Sequence, residues 1–415
     1  MGRILRFSHF IVDKITGFNI TSELGKVLAM DEWTKPMIEN DQKSKFKKLS
    51  VIAGNSEFYN SYKGCDLAKY PIMNREDFKK NFENLKTNIR KPYSIQHTSG
   101  STSNPVTHYI SREMLLAKRV SHQKLLHWNG LKRESPEFKI GGIKEDYITS
   151  LYYLLRNKRY INSFEINEQN IKRILRKYND FKPSVLYGYP SAIYNMLQYA
   201  DNKGVKLHSP TVIITHAETL CDEYKDKFQN TFPGISVLNQ YWSTEANIAE
   251  TCPEGNLHID EDTVICELIN TNENGVGDLL ITNLYSYDLP IIRYKIGDRV
   301  RFSDVDCPCG RQTQVLKSIE GRDNDFLELP DGRKIPLPAL YFSRYMKNII
   351  SYQLVYFKSQ RLIEFRYVCF KEDEIDNARI ADHLKKDYGL STRFVRVEEL
   401  RYTPGGKFKK LLISD

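Results

Sequence analysis

At 415 residues, 40% hydrophobic and 27% charged, the chain has the composition of an ordinary globular protein, with room for one large domain and one small, or for two of medium size. The net charge of +9 comes from basic residues scattered among acidic ones with no nucleic-acid-reading motif, so no nucleic-acid partner is expected and an anionic small substrate is compatible. No apolar leader opens the chain, no apolar run is long enough to span a bilayer, and the seven cysteines are odd in number, so a reduced cytoplasmic protein without membrane insertion is expected.

The first ninety or so residues are polar, Lys-rich and interrupted, with an amphipathic stretch from Arg75 to Leu85 that predicts helix. A Ser/Thr-rich turn at His97 to Pro105 is flanked by alternating segments that read as strands. Asn167 to Lys177 carries apolar residues at helical spacing, and Lys182-Pro183 lies beyond its end. Val185 to Tyr187 predicts a strand, and Gly188-Tyr189-Pro190 a turn into another helix. Thr211 to Thr215 is a β-branched run, as in a strand buried on both faces. A helix from Asp222 to Asn230 and a strand from Ile235 to Leu238 follow. This alternation predicts a parallel α/β core.

From Asp262 to Phe302, β-rich runs at Val264 to Ile269, Asp278 to Thr282 and Ile291 to Tyr294 are separated by Gly, Asn and Asp turns, as in a distorted antiparallel barrel. Beyond Gly321, strands at Tyr352 to Phe357, Arg361 to Cys369 and Phe394 to Val397, with a helix at Asp373 to Lys386, predict a small α+β unit. The expected organisation is a large α/β domain over residues 1–321 and a small α+β domain over 322–415.

Three segments suit nucleotide chemistry. Thr98-Ser99-Gly100-Ser101-Thr102-Ser103-Asn104-Pro105 offers hydroxyls and successive N–H groups that can wrap a polyphosphate, and the same composition also makes plain turns. No Walker A sequence is present. Asn239 to Glu245 follows a predicted strand, where open α/β sheets bind ligands; Tyr241 suits stacking on adenine and Glu245 suits magnesium, a surface loop being the alternative. Asp298, after Gly297 at a predicted strand end, suits two ribose hydroxyls or an ordinary Gly-Asp turn.

Taken in order, the Ser/Thr loop, Tyr241 with Thr244-Glu245, Arg293-Tyr294 with Gly297-Asp298, Gly321-Arg322, and Thr403-Pro404-Gly405-Gly406-Lys407 resemble the adenylate-forming superfamily of acyl-CoA synthetases and related ligases. Tyr187-Gly188-Tyr189-Pro190-Ser191 and Ala217-Glu218 are similar to its phenylacetate–CoA ligase family, which includes CapK-like proteins linked to capsular polysaccharide synthesis. The resemblance runs from about Tyr93 to Lys410.

That resemblance implies an ATP- and Mg2+-dependent ligase that adenylates a carboxylic acid, releases pyrophosphate, and passes the acyl group to coenzyme A or an amine. It assigns Thr98, Ser99, Gly100, Ser101 and Thr102 to a phosphate loop, and Ala217, Glu218, Asn239 and Tyr241 to the adenine. Thr244 would lie near the α-phosphate, Glu245 on magnesium and Asp298 on the ribose. Arg322 would sit at a hinge, and Lys407 would reach the reacting groups from a mobile C-terminal lid. Tyr187, Gly188, Tyr189, Pro190 and Ser191 would line the acid pocket.

The chain departs from the family pattern at several positions. Ser103 and Asn104 stand where the family has Gly and Lys, His216 and Trp242 where it has Gly, and Asn324 where it has an acidic hinge residue. The altered loop leaves a second reading, a catalytically degenerate nucleotide-binding protein of the same fold. Trp242 implies a reshaped acyl pocket.

Cys252 and His258 lie six positions apart, and Cys307-Pro308-Cys309 follows about fifty residues later. Two close pairs of soft or borderline ligands suit tetrahedral zinc, with reduced unpaired thiols as the alternative. Similar Cys/His segments occur in the resembled family, which implies a structural zinc on Cys252, His258, Cys307 and Cys309. His97, His108, His122, His127, His208 and His383 form no ligand pattern.

Overall fold

The structure, a computed structural model, describes residues 9, 11–89, 91–97, 106–142, 147–322, 326–329, 331–336, 340, 342, 346–403 and 407–414. Its contacts divide the chain into two compact units, residues 1–135 with 238–322, and residues 136–237 with 323–415. The chain thus crosses between units three times, after Ser135, Val237 and Arg322. Among the described residues no helix is long and apolar enough to cross a membrane.

The first unit carries an antiparallel sheet. Its strands run in the order Val264–Ile269, Val276–Asn283, Tyr294–Phe302, Val315–Arg322, Leu257–Ile259, Asn247–Thr251 and Ser236–Trp242. The helix Lys35–Ala53 lays Phe46, Leu49 and Ala53 into a core with Phe78, Ile248, Leu279, Ile281 and Val300. The long helix Arg112–Trp128 begins at Ser111, whose hydroxyl accepts from the Met114 N–H and so caps an otherwise unpaired donor. Val120 of this helix packs on Phe18 and Ile20.

The second unit contains the expected parallel core, with strands ordered Val212–His216, Val185–Gly188, Glu137–Gly141 and Lys158–Asn162. Val212, Ile213, Ile214 and Thr215 are all buried, as the β-branched run requires of a strand covered on both faces. Each aliphatic side chain buried there contributes about 1.5–3 kcal/mol. Gly188 is dictated by packing, since a Cβ at this position would meet the Ile140 carbonyl oxygen at 2.6 Å.

In the same unit, residues 346–414 form a mixed sheet in the order Ser391–Arg396, Leu362–Ile375, Met346–Phe357 and Leu411–Ser414. The helix Asn377–Tyr388 covers it with Ile380 and Leu384, over a core of Leu354, Ile363 and Phe365. Gln198 of the helix Pro190–Asn202 donates to the Ile349 carbonyl at 3.0 Å, and Tyr199 meets Phe370 edge-on.

Several elements differ from the sequence expectation for local reasons. The strand expected to end at Leu238 continues to Trp242, so Asn239 and Tyr241 lie within a strand and not on a loop after it. Residues 291–293 stand outside the strand expected at Ile291 to Tyr294, because Arg293 takes a left-handed conformation (φ 48°) with its N–H bonded to Thr282 Oγ1. The helix expected from Asp373 starts at Asn377, where Asp376 caps it by accepting from Arg379 N–H at 3.0 Å. The helix expected from Asn167 starts at Ile171 and ends before Lys182, which is left-handed.

Candidate active site

In the first unit, Tyr241 and Asp298 come together. Asp298 follows Gly297, whose positive φ of 89° marks an irregularity in the strand Tyr294–Phe302, and the Tyr241 hydroxyl donates to the Asp298 carboxylate. Asp298 is thus inside a strand, not at the strand end that its sequence suggested, and lies opposite Arg322 on the neighbouring strand.

Thr244 and Glu245 occupy a tight turn. The Ser243 hydroxyl accepts from the N–H groups of Glu245 and Ala246, both at 3.1 Å, and Asn283 Nδ2 donates to the Glu245 carbonyl at 2.6 Å. The buried Glu245 carboxylate lies 3.4 Å from His108 Nε2, and His108 is itself stacked on Phe78. Burial alone would raise the Glu245 pKa, but His108 and the turn's hydrogen bonds outweigh it and hold the pKa at about 2. Glu245 is therefore a carboxylate at neutral pH, the form that ligates magnesium.

One face of the helix Arg112–Trp128 serves this region at spacings of three and four residues. Lys118 Nζ donates to the Thr244 and Ser243 carbonyls at 3.1 and 3.3 Å. Ser121 donates to Asp260 at 2.6 Å and accepts from Asn247. Lys124 is buried among Asp260, Asp262 and Glu250. Trp128 donates to Asp31 at 2.9 Å, and Arg311, bonded to Asp31 at 3.0 Å, lies over the indole.

The four metal-ligand candidates converge in the same unit. The ligand atoms of Cys252, His258, Cys307 and Cys309 all lie within 4.8 Å of one another. Cys252 Sγ is 3.7 Å from Cys307 Sγ, and Cys309 Sγ is 3.3 Å from His258 Nε2. Zn–S and Zn–N bonds of ~2.3 and ~2.0 Å at tetrahedral angles require separations of roughly 3.5–3.8 Å, so the cluster fits zinc with little adjustment. His258 Nδ1 is 2.8 Å from Thr313 Oγ1, which leaves Nε2 facing the thiols. Desolvation, with Arg311 nearby, holds the His258 pKa down to about 4, so the ring is neutral as a ligand must be.

In the second unit, Glu218 ties together segments far apart in sequence. It accepts from Ser191 N–H at 3.2 Å and from Phe408 N–H at 2.6 Å. Burial raises its pKa, and the Ser191 and Phe408 hydrogen bonds and the charge of Lys407 oppose that rise. Thr403 N–H donates to the Lys407 carbonyl at 2.9 Å, and Lys407 N–H donates to Thr403 Oγ1 at 3.1 Å. Ala217 is left-handed (φ 66°), a conformation costly for a residue with a Cβ, which points to a constrained position. His216 stacks on Tyr187 with ring centroids 4.5 Å apart and touches Tyr189, while Lys139 lies over the other partner of that stack, Tyr187. Tyr189 precedes Pro190, the first residue of its helix.

Within the first unit the structure thus brings together Tyr241 with Asp298, and Thr244 with Glu245. Within the second it gathers the Tyr187–Ser191 segment, Ala217, Glu218 and Lys407. Asn239 is fixed through its main chain, its N–H donating to Thr251 Oγ1 and its carbonyl accepting from the same hydroxyl; Trp242 is half-buried at the end of its strand. Thr98, Ser99, Gly100, Ser101 and Thr102 lie outside the described residues, as do Ser103, Asn104 and Asn324. Nothing in the sequence marks His108, which belongs to no ligand pattern, or Lys118 and Lys124. A basic residue every few positions on an amphipathic helix reads as a solvated face.

No protein-family model matches the chain. Over 433 residues it is 26% identical to protein CapK of Staphylococcus aureus, the match covering 94% of this chain and 95% of that protein. Among solved structures, 2-hydroxyisobutyryl-CoA ligase in the postadenylation state with R3-HIB-AMP matches at a TM-score of 0.73 and 14% identity, over 93% of this chain and 91% of that one. McyG A-PCP complexed with phenylalanyl-adenylate matches at 0.53 and 12%, over 78% and 66%. The fold is that of the adenylate-forming superfamily. The sequence is similar to CapK over nearly the whole length of both chains.

Proposed function

We propose that the chain is an ATP-dependent, AMP-forming ligase that activates a carboxylic acid and transfers the acyl group to a thiol or an amine. The observation that carries this reading is the Thr244–Glu245 turn. A buried carboxylate is kept ionised there beside a cationic helix face, in the unit where Tyr241 positions Asp298. The near full-length similarity to CapK supports it, as do the adenylates held by proteins of similar fold.

In the first step the acid's carboxylate oxygen attacks the α-phosphorus of ATP, the bond to the β-phosphate oxygen breaks, and pyrophosphate leaves. In the second, the thiol of coenzyme A or an amine attacks the acyl carbonyl and AMP leaves, the acceptor's proton passing to solvent or to a base. Asp298 binds the ribose hydroxyls, Thr244 the α-phosphate, and Glu245 holds magnesium, which offsets phosphate charge when bound. Lys407 stabilises charge on the α-phosphate as the new bond forms. The Tyr187–Ser191 segment and His216 shape the acid pocket. Cys252, His258, Cys307 and Cys309 would hold a zinc whose contribution would be to stability. Residues 322–415 act as a mobile lid hinged at Arg322.

The test is exchange of labelled pyrophosphate into ATP across a panel of carboxylic acids, followed by release of AMP with coenzyme A or amino sugars as acceptor. Acid-dependent exchange is expected. Binding of ATP without exchange for any acid would support the degenerate nucleotide-binding reading instead.

A further inference from the structure

We propose that Lys118 is the cation that meets the β- and γ-phosphates of ATP, acting from the helix Arg112–Trp128 and not from the Ser/Thr loop. The inference rests on the ATP-dependent reading above and identifies the group that handles the triphosphate.

Two lysines on one helix make the case by contrast. Lys124 is compensated in charge by two aspartates, Asp260 and Asp262. That is how a lysine committed to structure is buried, since its desolvation must be offset by anions. Lys118, six positions earlier, meets neutral acceptors among the described residues, the Thr244 and Ser243 carbonyls. Its ammonium carries three N–H donors, of which these two carbonyls take two. Glu245 acts on it only electrostatically, and Glu245 already has His108. Among the described residues no carboxylate lies in contact with that ammonium, so two carbonyl dipoles leave its charge under-compensated.

Residues 98–105, the segment suited to wrap phosphate, contain no Lys or Arg. A triphosphate engaged by hydroxyls and N–H groups alone would keep its charge largely unopposed at that end. Lys118 lies against the carbonyls of Thr244, proposed to hold the α-phosphate, and of Ser243, two positions before the proposed magnesium residue Glu245. It therefore both fixes that turn and supplies the positive charge that the loop lacks.

The experiment measures, on the intact protein with Mg2+, the dissociation constants of ATP and AMP for wild type, Lys118→Gln and Lys118→Arg, with a melting curve for each. Glutamine keeps an amide donor for the carbonyls but removes the charge. Lys118→Gln should weaken ATP by about tenfold or more, the scale of one charge-assisted contact, with AMP nearly unchanged, and Lys118→Arg should recover most of the loss. An unchanged ATP affinity, or an equal loss for ATP and AMP, would overturn the proposal, the second result meaning that Lys118 only shapes the turn. Should Lys118→Gln not fold, acetylation of wild-type lysines read by peptide mass mapping decides the matter. ATP, but not AMP, should protect Lys118, and protection by neither overturns the proposal. A wild-type protein that binds neither nucleotide would instead sink the ATP-dependent reading itself.

Discussion

His108 Nε2 lies 3.4 Å from Glu245 Oε1, with both side chains buried and 137 positions apart in the chain. The histidine is what keeps Glu245 ionised against its own burial. Replacing it with alanine should raise the Glu245 pKa and free the carboxylate to turn. Partners of this kind typically contribute 10–100-fold to metal affinity, so His108→Ala should need roughly that much more Mg2+ for half-maximal pyrophosphate exchange. A superimposable Mg2+ titration would show that the contact has no bearing on the metal.

Asp298 is predicted to hold the ribose, and Tyr241 to orient it. Loss of charge-assisted hydrogen bonds worth about 1.5–3 kcal/mol each should raise the KM for ATP at least tenfold in Asp298→Ala. Tyr241→Phe, which keeps the ring and removes only the hydroxyl donor to Asp298, should raise it less. Steady-state kinetics in ATP separate these outcomes. An unaltered KM in Asp298→Ala would place the ribose elsewhere.

One zinc per chain should be found by elemental analysis of protein purified without chelator. Stripping it, or replacing Cys307 with serine, should lower the melting temperature by roughly 5 °C or more, because a four-ligand structural metal binds only the folded state. Metal-free protein that melts at the same temperature would leave Cys252, His258, Cys307 and Cys309 as plain thiols and imidazole.

Glu250 offers a pH test. Loss of hydration pushes its carboxyl up to about 8, with Lys124 and Gln240 pulling it down and Asp262 pushing it up. An unfolded glutamate titrates near 4.5. Between these two values the folded state keeps a proton that the unfolded state has lost, so this group's contribution to stability declines as pH rises from 4.5 to about 8. Glu250→Gln should flatten that decline, being most stabilised relative to wild type above the window. Urea denaturation across the range measures it, and an identical slope in both proteins would contradict the assignment.

Lys407→Ala should slow adenylation by roughly a hundred- to a thousand-fold, the usual effect of removing a preorganised charge from a transition state. Transfer from a supplied acyl-adenylate should stay nearly normal if the lid has by then turned Lys407 away. Lys410 would be a poor control for general charge loss, because it is buried, paired with Glu223 at 3.2 Å and set over the Tyr352 ring. The exposed Lys358 serves instead. Equal losses in both half-reactions would point to a damaged fold.

The amino-acid sequence alone determined the elements and the order of the motifs. The β-branched run at Val212 to Thr215 and the apolar spacing of Ile171, Ile174 and Leu175 name a buried strand and a helix, since burial of a continuous or periodic apolar face is a local property. Cys252, His258, Cys307 and Cys309 were legible as candidate ligands, with plain thiols as the alternative, and the structure brings the four ligand atoms within 4.8 Å of one another.

Only the tertiary structure decided which charges face one another. Lys118 and Lys124 look alike in the sequence, yet one meets carbonyls and the other Asp260 and Asp262. Glu218 meets the Phe408 N–H across 190 positions. The register of Asp298 depends on an irregular strand, and the role of His108 on the rotation of a turn 137 residues away. A polar side chain satisfies its hydrogen bonds equally well with water, so nothing local commits it to a partner. The packing of apolar faces brings two such groups within reach, and the cost of burying them unpaired then fixes the match.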